Sequence, residues 1–99
     1  LSRAARPSAA PVKLSFGDRR RLAELEAKIA DLPVQIERLE GALSDPGLYA
    51  RDAEVFAALS RTLSAARAEL TGAEDAWLLL AERRERLAGA GAAGSAEDN

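Results

Sequence analysis

The chain contains neither cysteine nor histidine among its 99 residues. Without cysteine there is no disulfide framework and no thiolate metal site, and without histidine the commonest general base and metal ligand is missing. The sequence also lacks a Walker-type glycine loop and a dinucleotide fingerprint. We therefore expect a non-catalytic domain with no catalytic residues, no metal ligands and no cofactor of its own.

Long apolar runs are absent as well. No stretch approaches the roughly 20 apolar residues of a membrane span, and the sequence has neither the apolar segment nor the cleavage site of a signal peptide. These absences predict a cytoplasmic protein with no membrane partner. The chain has no methionine and begins with Leu1, which indicates an excised fragment or a processed product.

The composition divides the chain into three parts. Residues 1–13 mix Pro, Ser, Ala and three cations without apolar periodicity, which is typical of a flexible basic linker. Residues 89–99 are rich in Gly and Ala and end in acidic residues, which predicts a disordered tail. Residues 14–88 are predicted to fold as an α-helical coiled-coil hairpin domain.

The folded part contains two segments of coiled-coil periodicity, predicted as helices at about 17–44 and 53–88. Apolar residues recur in both at alternating spacings of three and four, with Arg84 at one polar position of the second seam. The first seam comprises Leu22, Leu25, Ile29, Leu32, Ile36, Leu39 and Leu43; the second comprises Phe56, Leu59, Leu63, Ala66, Leu70, Ala73, Trp77, Leu80 and Leu87. The expected fold class is all-α.

A short connector at residues 44–52 (SDPGLYARD) joins the two segments. Asp, Pro and Gly suit a reversal of the chain, and Asp52 is well placed to cap the second helix. Leu48 and Tyr49 would plug the closed end. A connector this short favours an antiparallel two-helix pair within one chain, although two long helices also fit a homodimeric bundle.

Folding the chain back about residue 48 would set Leu25 opposite Ala73 and Leu32 opposite Ala66. Large residues facing small ones allow the two backbones to approach closely. Pro33 interrupts the first seam, because it lacks an N–H and its ring crowds the preceding turn. We therefore expect a kink or a helix break near Pro33.

The charge distribution, rather than the net charge, suggests a function. A formal charge of −2 argues against a uniformly basic nucleic-acid binder. The open end of the hairpin is nevertheless basic, and arginine forks at a helix N-terminus suit phosphate oxygens. The candidate nucleic-acid-binding residues are Lys13, Arg19, Arg20, Arg21, Arg83, Arg84 and Arg86.

The six arginines among these candidates also have a purely structural interpretation. Arg83, Arg84 and Arg86 would lie near a helix C-terminus, where the macrodipole stabilises cations. The run 19–21 lies instead in a first helical turn, where the dipole disfavours cations; a solvated charge run is the alternative to phosphate contact there.

The aromatic residues and two exposed leucines bear on the function as well. Tyr49, Phe56 and Trp77 could stack on bases, but their positions on the seam and in the connector favour a structural role. Leu78 and Leu79 lie beside the second seam, and their apolar surface favours docking on a protein.

Several short motifs occur in a familiar order. They are KLSF at residues 13–16, followed by an arginine-rich helix start, then DPGLYARD at 45–52, FAAL at 56–59 and AEDAWL at 73–78. Together they resemble the C-terminal domain of ABC-F ATPases of the Uup type, over about residues 13–87. The chain departs from the usual pattern in the position of Pro33 and in having Ala53 where a proline is common.

The resemblance implies a coiled-coil appendage at the C-terminal end of a cytoplasmic ATPase. That parent would carry two cassettes binding ATP and Mg, would lack membrane spans, and would act on nucleic acid or ribosomes. In such proteins the domain is associated with DNA binding. Our leading hypothesis is a DNA-binding or rRNA-binding accessory domain that contacts phosphates through its basic open end.

The competing hypothesis is a structural or protein-interaction coiled coil. It would dock on the parent's ATPase cassettes, on a ribosomal partner or on a second copy of the chain. The chain would then be a monomer or a weak homodimer.

Overall fold

A computed structural model describes the backbone of residues 13–98 and the side chains of residues 13–90. It contains three helices: α1 (Phe16–Leu43), α2 (Leu48–Arg51) and α3 (Ala53–Asp98). The described residues form no strand, so the all-α prediction is confirmed. The linker predicted for residues 1–13 lies outside the described residues except for Lys13.

Helix α1 begins immediately after Ser15, which caps it. The Ser15 hydroxyl oxygen accepts a hydrogen bond from the backbone N–H of Asp18 at 3.1 Å, which satisfies one of the amides that a helix start leaves unpaired. Asp18 itself lies in the first turn, where its charge suits the macrodipole. Both ends of α1 fall within one residue of the predicted limits of 17–44.

Pro33 lies inside α1, which continues through it as one helix. The predicted alternative of a helix break is therefore wrong, while the kink stays a prediction. An interior proline costs about 3 kcal/mol, but full burial of a leucine contributes about 1.5–3 kcal/mol. Leu25 and Leu32 are 1% and 4% exposed, so their packing holds the helix together across the missing hydrogen bond.

The connector between α1 and α3 is ordered by Asp45. Its carboxylate accepts a hydrogen bond from the backbone N–H of Gly47 at 2.9 Å and forms an ion pair with the Arg51 guanidinium at 2.9 Å. The backbone N–H of Leu48 donates to the Asp45 carbonyl at 3.1 Å, which closes the turn. The short helix α2 then follows, and it was not predicted because four residues are too few for a periodic signal.

Asp52 starts α3, as predicted. Its carboxylate accepts the backbone N–H of Val55 at 3.1 Å. Helix α3 continues to Asp98, whereas the sequence placed its end near residue 88. Disorder of residues 89–99 in solution stays a prediction, and residue 99 lies outside the described part.

Contacts between α1 and α3 show that the two helices run antiparallel. Asp18 pairs with Arg83, Lys28 with Glu69, and Glu40 with Arg67. The later a residue lies in α1, the earlier its ion-pair partner lies in α3, as antiparallel helices require. The molecule measures 73 × 30 × 14 Å, which is a single layer of helices, so each helix has only one face that can be buried.

The core follows the predicted seams and adds residues to them. All predicted apolar seam positions are buried or half-buried, and Leu25 and Ala73 line one shared groove. The buried residues are Leu14, Leu22, Leu25, Leu32, Leu48, Leu63, Ala66, Ala73 and Ala81. Leu14 and Ala81 were not predicted, and Arg84, placed on the seam by its spacing, is exposed.

The closed end is plugged by one residue of the predicted pair. Leu48 is buried, but Tyr49 is 65% exposed. The Tyr49 ring instead meets Phe56 edge to face, with the ring centroids 5.4 Å apart, a favourable arrangement of two aromatic quadrupoles.

Candidate nucleic-acid interface

The open end of the helix pair brings the start of α1 beside residues 83–86 of α3. The Asp18 carboxylate and the Arg83 guanidinium form an ion pair at 3.4 Å across the two helices. This contact holds the two cation-rich segments side by side. Arg83 is thus placed as the sequence predicted, but part of its charge is balanced by Asp18.

A shallow groove of about 250 Å³ lies at this end, and we name it the cationic groove. It is lined by Lys13, Leu14, Arg19, Leu22, Ala23, Glu26 and Arg84. Three of the seven cations predicted from the sequence therefore meet in one groove: Lys13 from the residues before α1, Arg19 from the start of α1 and Arg84 from α3. The positive end of the α1 macrodipole adds to their field.

Arg19 has a structural role in this groove. Its Nη1 donates a hydrogen bond to the carbonyl oxygen of Leu14 at 2.6 Å. That bond ties down the residues before α1, and Leu14 is only 3% exposed. A guanidinium carries five donor hydrogens, so the others remain for a ligand.

Arg20 and Arg21 are placed differently from Arg19. Both pair with Glu24, at 3.7 Å and 3.9 Å. Because α1 begins at Phe16, both arginines lie in its second turn and not in the first turn that the sequence predicted. Glu24 gives them a local ion-pair partner on the same helix. Neither residue lines the cationic groove, and Arg21 lines a separate groove with Lys28 and Glu69.

The remaining predicted cations are exposed. Lys13, Arg84 and Arg86 form no ion pair within the part of the chain whose side chains the structure describes. Lys13 and Arg84 line the cationic groove, whereas Arg86 does not. Lys13 and Arg84 therefore combine two properties of a phosphate contact, which are a shared groove and an uncommitted charge.

A second groove, of about 440 Å³, adjoins the cationic groove, and we name it the acidic-rimmed groove. It is lined by Glu26, Ile29, Glu74, Trp77 and Leu78. Glu26 lines both grooves and accepts a hydrogen bond from Trp77 Nε1 at 3.1 Å. The sequence singled out Leu78 but missed this groove, since a heptad pattern does not show which flanking residues face each other across two helices.

Other chemistry is limited in the described part of the chain. Residues 13–90, whose side chains the structure describes, include no group of three or more acidic side chains that could hold a metal ion. None of the described helices has the length and hydropathy that a membrane crossing requires. The hydrogen bond from Arg51 and the Gly47 N–H lower the pKa of Asp45. Asp45 lies at the opposite end of the molecule from the cationic groove, so this shift concerns the connector.

Comparison with known proteins agrees with the motifs. Residues 13–82 match the family model described as the ABC transporter C-terminal domain. A stretch of 77 residues is 51% identical to the ATP-binding protein Uup of Caulobacter vibrioides; it covers 78% of this chain but only 13% of that protein. No solved structure matches the chain.

Proposed function

Because this chain belongs to the ABC transporter C-terminal domain family, we propose that it is a non-catalytic accessory domain that binds nucleic-acid phosphates at its cationic groove. The observation that carries this proposal is the meeting of Lys13, Arg19 and Arg84 in one groove. Arg84 is far from Lys13 and Arg19 in sequence, and antiparallel packing brings it beside them. A chain of net charge −2 thereby presents a local positive surface.

The chemistry of the groove favours phosphate over base edges. Arg84 and Arg19 offer guanidinium forks that match phosphate oxygens, and Lys13 adds a point charge. The groove offers no row of side chains able to read base edges in the major groove. Binding should therefore show little sequence preference, with a dissociation constant of about 10⁻⁴ to 10⁻⁶ M at physiological salt, as is usual for phosphate-directed binding.

The same proposal extends to the longer protein. The chain spans 13% of the length of the relative it matches, and that relative's name describes an ATP-binding protein. We propose that the chain is an antiparallel coiled-coil hairpin attached to the cassettes of a cytoplasmic ATPase. ATP and Mg would be held by those cassettes, and the hairpin would bring DNA or ribosomal RNA to them.

The experiment that tests the proposal is fluorescence anisotropy with short double-stranded DNA, single-stranded DNA and structured RNA. The purified chain should bind at low salt, and log K should fall linearly with log salt concentration. Replacing Lys13 and Arg84 together by Ser should reduce the magnitude of that slope by about 2, because each of the two cations would otherwise neutralise one phosphate.

Arg61→Ser is the matched control, because Arg61 is an exposed cation of α3 outside the cationic groove. It should leave the slope unchanged. Absence of binding to all three probes at low salt would contradict the proposal. An equal loss of affinity in the control would show that net charge, rather than the groove, governs binding.

A second candidate function is docking on a protein. Leu78 is 51% exposed and lies beside Trp77 in the acidic-rimmed groove. An exposed leucine beside an accessible tryptophan is typical of a surface that another chain covers. The parent's cassettes, a ribosomal protein and a second copy of this chain are the occupants that this candidate function allows.

A further inference from the structure

The acidic-rimmed groove lies between α1 and α3 and adjoins the cationic groove at Glu26, but none of the cations that would hold phosphate lines it. Its apolar floor is formed by Ile29, Trp77 and Leu78. Ile29 and Trp77 are half-buried, and Leu78 is 51% exposed. The floor therefore offers apolar surface whose removal from water by a partner would be favourable.

The rim of this groove carries negative charge that no ion pair of the described residues balances, although Glu26 also borders the three cations of the cationic groove. Three carboxylates of the helix pair do have a cation on the facing helix: Asp18 pairs with Arg83, Glu40 with Arg67, and Glu69 with Lys28. The two rim carboxylates, of Glu26 and Glu74, form no ion pair with any described residue. Glu26 accepts only the neutral indole N–H of Trp77.

An apolar floor between two unbalanced carboxylates specifies the chemistry of an occupant. Apolar side chains would fill the floor, and a lysine or arginine would pair with Glu74 and lie against the Trp77 ring, where cations are attracted to the aromatic face. A groove between two packed helices accepts a third helix by the same ridges-into-grooves packing. Helix-in-groove recognition uses an apolar stripe at helical spacing with polar flanks.

We propose that the acidic-rimmed groove binds a cationic amphipathic α-helix of a partner protein. This deepens the second candidate function and does not depend on phosphate binding at the cationic groove. The apolar stripe of the helix would cover Ile29 and Leu78, and its basic flank would neutralise Glu74.

The test uses the single tryptophan of the chain as its reporter. Because Trp77 lines the groove, a docked helix should shift its fluorescence emission to the blue. The probe is a synthetic peptide of Leu and Lys arranged in helical heptads. Two peptides serve as comparisons: the same pattern with Glu in place of Lys, and a scrambled Leu/Lys peptide that cannot form an apolar stripe.

We expect a saturable blue shift with the Leu/Lys helix alone. Leu78→Ser should weaken that binding by about three- to tenfold, because only the exposed half of the Leu78 side chain is newly buried on docking. Glu74→Lys should also weaken it. Leu79→Ser is the matched control, because Leu79 is an adjacent leucine, 68% exposed, that does not line the groove; it should bind the peptide as the unchanged chain does.

Four results would overturn the inference. The first is no emission shift with the Leu/Lys helix, and the second is an equal shift with the Leu/Glu helix or the scrambled peptide. The third is an equal loss of affinity in the two leucine variants, and the fourth is an emission shift that depends on protein concentration without peptide, together with a dimer in sedimentation. The last result would assign the groove to a second copy. Circular dichroism of each variant should show unchanged helicity, because both leucines are exposed.

Binding at the cationic groove and binding at the acidic-rimmed groove can be tested independently. The chain with Lys13 and Arg84 replaced by Ser should bind nucleic acid more weakly and keep its affinity for the peptide, and Leu78→Ser should do the reverse. Glu26 is left unchanged in all variants because it lines both grooves.

Discussion

The carboxylate of Asp18, in the first turn of α1, lies 3.4 Å from the guanidinium of Arg83 on α3. This ion pair joins the two helices at the open end and places a negative charge beside the cationic groove. It therefore contributes to stability while opposing the binding of phosphate, and substitution at Asp18 separates the two effects.

Asp18→Asn should destabilise the fold slightly and strengthen nucleic-acid binding. An exposed ion pair contributes about 0–1 kcal/mol, and a first-turn carboxylate contributes about 0.3–1 kcal/mol through the helix dipole. We expect the free energy of unfolding in urea to fall by about 1 kcal/mol, while anisotropy shows tighter binding at low salt. Glu69→Gln, which breaks the Lys28–Glu69 pair away from this end, should lower stability similarly without changing affinity.

Replacing Arg20 and Arg21 together by Ala should leave the helix content unchanged or slightly higher, because alanine is the best helix former. Binding should fall less than it does when Lys13 and Arg84 are replaced, since Glu24 already pairs with both arginines. Circular dichroism and anisotropy measure the two quantities. A larger loss of affinity than in the Lys13 and Arg84 variant would move the phosphate-binding site out of the cationic groove.

Pro33→Ala should stabilise α1. The change restores a backbone N–H in the helix interior and removes the ring that crowds the preceding turn, so the free energy of unfolding should rise by about 1–3 kcal/mol. Urea denaturation with helicity as the signal measures this. A decrease in stability would show that the packing of α1 on α3 needs a bend at Pro33.

Leu14→Ala should show that the residues before α1 belong to the folded unit. Leu14 is 3% exposed, and its carbonyl accepts the Arg19 hydrogen bond. Truncation of a buried leucine costs about 2–5 kcal/mol, and displacement of Lys13 should weaken phosphate binding as well. A decrease in stability below about 0.5 kcal/mol, the usual range for surface substitutions, would contradict burial of Leu14.

Ionised Asp45 should make the fold more stable at pH values above the normal carboxyl pKa than at acidic pH. Its pKa is lowered from the usual 3.8 by the hydrogen bond from Arg51 and then by the Gly47 N–H. Because the pKa of Asp45 is lower in the folded than in the unfolded chain, its contribution to stability is complete at pH values above the unfolded-state pKa. That contribution is lost as the pH falls through the folded-state pKa. Carbon-detected NMR should show Asp45 titrating below 3.8.

Arg51→Gln is the companion variant for that titration. It removes the first cause of the shift, so the Asp45 pKa should move up towards its usual value, while the Gly47 N–H keeps part of the effect. An Asp45 titration unchanged by Arg51→Gln would contradict the ion pair at the connector.

Part of this molecule follows from the sequence alone. The heptad spacing determines that the chain is helical and which face of each helix is apolar. Asp52 determines where α3 starts. Periodicity and capping are local properties, set by residues within one or two helical turns. They can be recognised in the sequence without knowing which helices pack together.

The tertiary structure decided the rest, because it depends on how two helices are rotated and aligned against each other. That alignment buries Leu14 and Ala81 and carries α1 through Pro33. It also selects Lys13, Arg19 and Arg84 from the predicted cations as the ones that share a groove, and it sets Glu26 against Trp77. The contacts of Lys13 with Arg84 in one groove and of Glu26 with Trp77 join residues about 50 or more positions apart. Their interaction energies arise only after the chain has folded back on itself.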